Sequence, residues 1–489
     1  MQLFAKQILV DQHGKATNFR LYSLKDPHMR ALHLAWFSFM VAFMSWYSIP
    51  PLIDYIAEEL EISSEEVYDS NVVAVAATII GRLVVGPMCE RFGPRRVMAT
   101  ILISGAIPCA MTGLLKNAAG LIGLRFVIGI LGATFVPCQF WATQMFAPSV
   151  LGTANAISAG WGNMGAGVTY LIMPAIFGGI RQHLPTWQAW RVVFVIPVGI
   201  CILVALCDLL FATDTPHGDW LKLRCEEAAK GSGSSLSTTS SLDQQEQKLE
   251  KGIVATQVDA ATSDDEESIQ EVKKNESAFE SFKGFCKVLI NPAVLVMITH
   301  YACSFGTELA IDNVIGQVFK TKFSLDPSTA SYIGSIFGLL NICSRLAGGL
   351  FSDFMAHRLH LPGRIAAQLM AMMLEGAFLI GFSFGLTSMT IAIVLMVFFS
   401  FFVQFVCGTT FGIVPFVDPL NNGKVMGVVG AGGNLGGLVF NLMFRGFNDK
   451  FEQAFLTLGC ITVGVGLIGC ASLRVQNKTM WHIIGKRYA

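Results

Sequence analysis

The sequence predicts an all-α polytopic membrane protein, with twelve transmembrane helices in two pseudo-symmetric six-helix halves. Three observations carry that prediction: the apolar runs, the placement of charge, and an internal repeat. Of the 489 residues, 53% are hydrophobic and only 14% are charged, where a soluble chain carries about one quarter charged residues. Runs of about 20 apolar residues recur along the chain, the length that crosses a hydrocarbon core of about 30 Å. A formal net charge of +0 says nothing of soluble partners. The composition implies the lipid bilayer, and no nucleic acid is expected.

The spans follow in order. A polar segment of mixed charge, 1–30, lacks the pattern of a cleavable signal peptide. The N-terminal half, 31–212, holds spans at 31–52, 71–89, 97–115, 119–140, 151–178 and 191–212. Residues 213–291 form a hydrophilic central loop that includes GSGSSLSTTSS and SDDEES. It has too few apolar residues to offset the entropy of ordering, so most of it is expected to be disordered. The C-terminal half, 292–473, holds spans at 292–316, 328–351, 364–384, 388–415, 424–446 and 453–473, and 474–489 is a tail.

Orientation is read from the loops. The connection 53–70 carries Asp54, Glu58, Glu59, Glu61, Glu65, Glu66 and Asp69 with no Lys or Arg, whereas the next carries Arg91, Arg95 and Arg96. The corresponding loop of the second half carries Arg358 and Arg364. Basic loops face the cytoplasm, and an even number of spans then places both termini there. The 12 cysteines lie mostly in apolar runs with no CxxC or His/Cys spacing, so they read as small apolar residues rather than disulfides or metal ligands.

The halves repeat. Arg82-Leu83-x-x-Gly86-x-x-x-Glu90 in span two matches Arg345-Leu346-x-x-Gly349-x-x-x-Asp353 in span eight. Gly162-Asn163-Met164-Gly165 in span five matches Gly433-Asn434-Leu435-Gly436 in span eleven. Duplication of this kind marks transporters, whose substrate is held near the midplane where the repeats meet.

Arg82 sits about eleven residues, or roughly 16 Å, into its span. A central arginine costs about 2.5–3.5 kcal/mol on insertion scales, so something must compensate it. One solution is an ion pair with an intramembrane acid: Asp208, Glu308, Asp312 or Glu375. None of these is duplicated, and both arginines are. Two fixed cations facing one cavity, without carboxylate partners, therefore predict an anion site. The planar guanidinium donates two parallel hydrogen bonds to a planar oxyanion and never deprotonates.

The stretch AGWGNMGAG formally matches a dinucleotide fingerprint, but it lies in an apolar span with no strand before it. Small-residue helix packing explains most of its glycines. It does not explain Asn163 and Asn434, polar groups at membrane depth: either each bonds a neighbouring helix, or each lends its amide to the ligand beside Gly162 and Gly433. Tyr301 and Phe305 share a helix face. With Phe43 and Phe135 they could wall a flat anion, and Thr78, one turn before Arg82, could lend a hydroxyl. No nucleophile–base set or cofactor motif survives, so neither an enzyme nor a bound cofactor is expected.

The chain resembles the nitrate/nitrite porter family of the major facilitator superfamily over nearly all its membrane portion. GPMCERFGPRR resembles the superfamily's loop between spans two and three, and AGWGNMGAG and GAGGNLGG resemble the family's two signatures. FMVAFMSWYSIPPL, GATFVPCQFW and YACSFGTELAI are similar to its eukaryotic, fungal-type branch. One departure is Ala166, where many relatives carry glycine. The resemblance implies the major facilitator fold, nitrate or nitrite as ligand of Arg82 and Arg345, and roles for Asn163, Asn434, Tyr301, Phe305 and Phe43. It further implies nitrate import with protons at the plasma membrane, for which Glu308, Asp312 and His300 are proton-coupling candidates. The rival expectations are nitrate/nitrite exchange, and a nitrate sensor whose central loop is modified by a kinase at Ser263 in SDDEES.

Overall fold

The computed structural model describes residues 3–220, 286–419 and 422–485. Ser263 and most of the central loop lie outside the described residues. Among the described residues, eleven helical stretches are long and apolar enough to cross a membrane. One of them, Pro327–Gly385, has 59 residues, more than twice the roughly 20–25 that a bilayer needs. It doubles back at His360, whose φ of 54° and ψ of −146° are non-helical, just before Pro362. Twelve crossings result.

Local chemistry sets the helix ends. Proline begins the spans at Pro27, Pro94, Pro292 and Pro327, where its missing N–H costs nothing. Ser63 and Glu66 form a capping box at the start of Ser64–Phe92, and Asn117 caps Ala118–Ile128 through Gly120. The acidic connection, expected as a loop, is largely helix: Ile53–Leu60 buries Ile53 and Ile56 and turns its carboxylates outward.

Bare glycines let backbones meet. A Cβ on Gly306 would lie 2.6–2.8 Å from Gly436 and Gly437, and one on Gly160 would lie 2.8 Å from the Asn341 carbonyl. Spans seven and eleven, and five and eight, are thereby pressed together.

The two halves are sealed at one end and parted at the other. On the side of the acidic connection, Asp54 pairs with Lys320 at 2.6 Å and Asp69 with Arg445 at 2.5 Å. Tyr68 donates to Asp449 at 2.9 Å and Tyr170 to the Asp312 carbonyl at 2.7 Å. On the other side a cavity of about 490 Å³ runs from Arg345 and Phe135 out to Gln139, Asp353 and Arg364.

Two flanking segments are more built than the sequence suggests. Ala16 exchanges backbone hydrogen bonds with Met145 and Ala147, and Phe19 stacks on Phe146 at 5.2 Å. After span six, residues 213–220 of the central loop are ordered. Asp219 binds Arg95 at 2.7 Å and Arg96 at 2.9 Å, and a Thr215–Gly218 bridge closes the turn. The same bridge recurs after span twelve, between Val475 and Lys478.

Candidate functional site

Span four changes character where it passes span two. Ala118–Ile128 is α-helix, but Gly129–Thr134 winds as a 3₁₀ segment before Phe135–Met145 resumes. The tighter winding tilts carbonyls outward, and two of them accept from span two. Thr78 donates to Gly129 O at 2.7 Å, and Arg82 Nε donates to Gly132 O at 3.2 Å. Gly132 must lack a side chain, because a Cβ there would sit 2.6 Å from the Thr78 hydroxyl.

Arg82 also reaches across to the other half, where its Nη1 meets Gly430 O at 3.5 Å. Its Nη2 is buried without a hydrogen-bond partner. The guanidinium carbon lies 4.7 Å from the Phe135 ring and 5.6 Å from the Phe305 ring. Among the described residues no carboxylate forms an ion pair with it.

Arg345 is different, and here the structure corrects the sequence reading. Its Nη2 is 2.6 Å from Glu308 Oε2, with both side chains almost fully buried. Asn341 donates to Glu308 Oε1 at 2.7 Å, and the Cys407 thiol lies 3.8 Å from Oε2. One arginine of the pair is therefore already neutralised. The reason is helical spacing: Glu308 falls three residues after Phe305 and seven after Tyr301, on the face that meets span eight. Of the other acids, Asp208 accepts from Ser38 at 2.8 Å, and Glu375 is buried with neither oxygen bonded.

Phe305 joins the two cations. The Arg345 guanidinium carbon is 5.7 Å from the same ring, so the two charges stand at most about 11 Å apart. Tyr301 stacks on Phe305 with centroids 5.2 Å apart, and Phe411 meets Tyr301 edge-on at 5.0 Å. Gly433 lies against both rings: its Cβ would come within 2.6 Å of Tyr301 and 2.9 Å of Phe305.

Asn434 donates to Gly430 O at 3.1 Å, the carbonyl that Arg82 also contacts, and leaves its Oδ1 unbonded. Asn163 closes the helix Pro148–Asn163, and neither of its side-chain polar atoms finds a partner. One turn earlier, Gly160 brings span five within contact of the Arg345 side chain. Together with Arg82 Nη2, the Arg345 Nε and the Tyr301 hydroxyl are buried and unbonded. Buried polar groups normally have partners, so a cluster of unbonded donors around two guanidinium groups describes a place for an acceptor-rich guest.

Other expected residues lie further out. The Thr78 hydroxyl donates to the Gly129 carbonyl of span four. Phe43 packs on Phe39, Trp46 and Tyr47 and stands one ring behind Phe135, which touches Phe39 at 5.8 Å. Gly162 presses on Phe39. His300 is buried against Gly469 of span twelve. Asp312 is buried beside the inter-half seal, its carbonyl taking the Tyr170 hydroxyl. Sequence reasoning missed Asn341 and Phe411, and it missed Arg125, a third buried arginine whose signal was the same lone cation in an apolar run.

A model of the Major Facilitator Superfamily matches residues 35–441. The chain is 36% identical to the high affinity nitrate transporter 2.5 of Arabidopsis thaliana, over 94% of this chain and 83% of that one. It is 32% identical to nitrate transporter 2.1 of Chlamydomonas reinhardtii, over 94% and 77%. Among solved structures, the xylose transporter XylE of E. coli in a partially occluded inward open conformation superposes with a TM-score of 0.65. The match is at 14% identity and covers 93% of this chain and 99% of that one. The last likeness concerns the fold alone.

Proposed function

We propose that this chain, which belongs to the major facilitator superfamily and within it to the nitrate/nitrite porter family, imports nitrate across the plasma membrane. Import runs by proton-coupled alternating access, and nitrite is a second substrate. The observation that carries the reading is Arg82: a buried cation with no carboxylate partner among the described residues, sharing the Phe305 ring with Arg345. Its relatives are transporters rather than enzymes.

Nitrate is flat, has three acceptor oxygens and donates nothing. It bonds the free Nη2 of Arg82 and takes the place of Glu308 on Arg345, and Asn163 Nδ2, the second N–H of Asn434 Nδ2 and the Tyr301 hydroxyl supply further donors. Aromatic faces on Phe305 and Phe135 cover the ion without competing for its oxygens. Displacing a charged Glu308 would strand a buried carboxylate, which is costly, so Glu308 takes up a proton as nitrate arrives. The empty site carries two guanidinium charges and one carboxylate. The loaded site carries two guanidinium charges and one nitrate, with the same net charge.

Import against a negative interior costs an anion about 2.3 kcal/mol per 100 mV, so a second proton is required to drive accumulation. Asp312, one turn beyond Glu308, and His300 on the same helix are the groups assigned to it. With the basic loops facing the cytoplasm, the cavity described above is open inward and the seal lies outward.

The test is nitrate-evoked current in oocytes at graded external pH. Inward positive current that grows as pH falls and is lost in Arg82→Lys supports the reading. Uptake that ignores pH and requires nitrite on the far side would replace it with exchange.

A further inference from the structure

Arg125 lies in span four and is only 2% exposed. Its Nη1 donates to Asn71 Oδ1 of span two, and its Nη2 donates to Asn313 Oδ1 of span seven at 3.0 Å. Asn313 is held in turn: its Nδ2 donates to Leu309 O at 3.1 Å and to Asn441 Oδ1 at 3.3 Å, and Asn441 is fixed on Gly437 O at 2.7 Å. The cation is thus solvated by one amide oxygen from each half of the molecule. Among the described residues no carboxylate forms an ion pair with it.

The position follows from helix geometry. Gly132, whose carbonyl holds Arg82, is seven residues along span four from Arg125, about 10 Å. Asn71 is eleven residues before Arg82, about 16 Å. Both offsets point towards the acidic connection, so Arg125 sits between the central site and the inter-half seal. Asn313 is on span seven, which Tyr47 and Tyr170 also bond from the first half through the carbonyls of Leu309 and Asp312. When that seam parts, Asn313 leaves with its own half and Arg125 Nη2 is bared to the new opening.

We propose that Arg125, with Asn71, is a second anion site, an outer station that nitrate occupies before it reaches Arg82 and Arg345. The inference rests on the nitrate reading above and adds a binding site to it. Asn313 Oδ1 stands where an anion oxygen would bind and returns when the seam closes. A neutral amide suits that duty. It satisfies the buried cation in the sealed state, yet it yields to an anion, which a carboxylate would not. The acidic connection explains why such a station is needed. Asp54, Glu59 and Asp69 are paired with Lys320, Arg191 and Arg445, but Glu58, Glu61, Glu65 and Glu66 surround the same approach with negative charge. A fixed cation inside that rim restores attraction for a monovalent oxyanion.

The experiment measures nitrate uptake against external concentration in cells expressing the full chain. Arg125→Gln removes the station and raises the half-saturating nitrate concentration about tenfold, the loss of one charged hydrogen bond. Asn313→Ala keeps the cation and loosens only the seam, so half-saturation falls. If Arg125 were a latch and nothing more, both variants would free the seam and shift half-saturation the same way; that result overturns the proposal. Should Arg125→Gln fail to reach the membrane, Asn313→Asp replaces it. A carboxylate seated on Arg125 raises half-saturation, and an unchanged value overturns the proposal. Binding of nitrate to the purified, unmodified protein is measured alongside. Its absence would remove the central-site reading itself, a failure distinct from either of these.

Discussion

Arg82 and Arg345 occupy equivalent places in two repeated halves, at similar distances from one shared ring, and yet their surroundings differ. Arg82 is held by two backbone carbonyls and two aromatic faces and keeps one nitrogen unbonded. Arg345 is held by Glu308, which is itself held by Asn341. The repeat carries both charges, and a single acid on span seven neutralises one of them. In the proposed cycle the first is the standing attractor for an anion, and the second becomes available when Glu308 gives it up.

The largest test of that contrast is Arg82→Lys. An ammonium cannot satisfy Gly132 and Gly430 while also offering a fork to nitrate, so uptake falls on the order of 100-fold or more, the equivalent of about 3 kcal/mol. Isotopic nitrate uptake at constant surface expression measures it. Arg345→Lys costs less than this, because part of what it loses is the pair with Glu308 rather than the ligand.

Glu308→Gln sharpens the contrast from the other side. It makes the second arginine permanently available, so purified protein binds nitrate at least as tightly as before. Accumulation falls about tenfold and the dependence of uptake on external pH flattens. Uptake that keeps its full pH dependence would remove Glu308 from the coupling scheme.

Smaller effects probe the walls. Gly433→Ala drives a methyl into Tyr301 and Phe305 and is expected to raise half-saturating nitrate several-fold, consistent with about 1 kcal/mol of overpacking. Thr78→Val removes the hydroxyl's hydrogen bonds to Gly129 O and to Ala74 O of its own helix. Thermal stability falls by about 1 kcal/mol and nitrate affinity changes little, which separates a residue that seats the site from one that touches the guest.

Much of this was visible in the sequence because membranes make charge conspicuous. Arg82 and Arg345 stood out as cations in apolar runs, and the repeat placed them together before any coordinate did. Glu308 was visible too, but a search for repeats favours duplicated residues. Span one has no acidic residue between positions 31 and 52, so span seven's acid had no echo to draw attention to it. The partner of Thr78 was hidden for another reason. Which acceptor a hydroxyl finds depends on the neighbouring helix, and only the 3₁₀ winding of Gly129–Thr134 tips a carbonyl into its reach. Residues 213–220 read as loop by composition, and Arg95 and Arg96, more than a hundred positions away, hold Asp219 in place.

Phe305 belongs to the second half of the chain. In a cycle where the halves tilt as solid pieces, its spacing from Arg345 is constant and its spacing from Arg82 is not. The second half is therefore a cup that keeps its lining, its acid and one cation through the whole stroke, and the first half is a lid that brings down a bare charge. Closing the lid onto an empty cup sets a cation against a ring with nothing between, while closing it onto a filled one sets it against an anion.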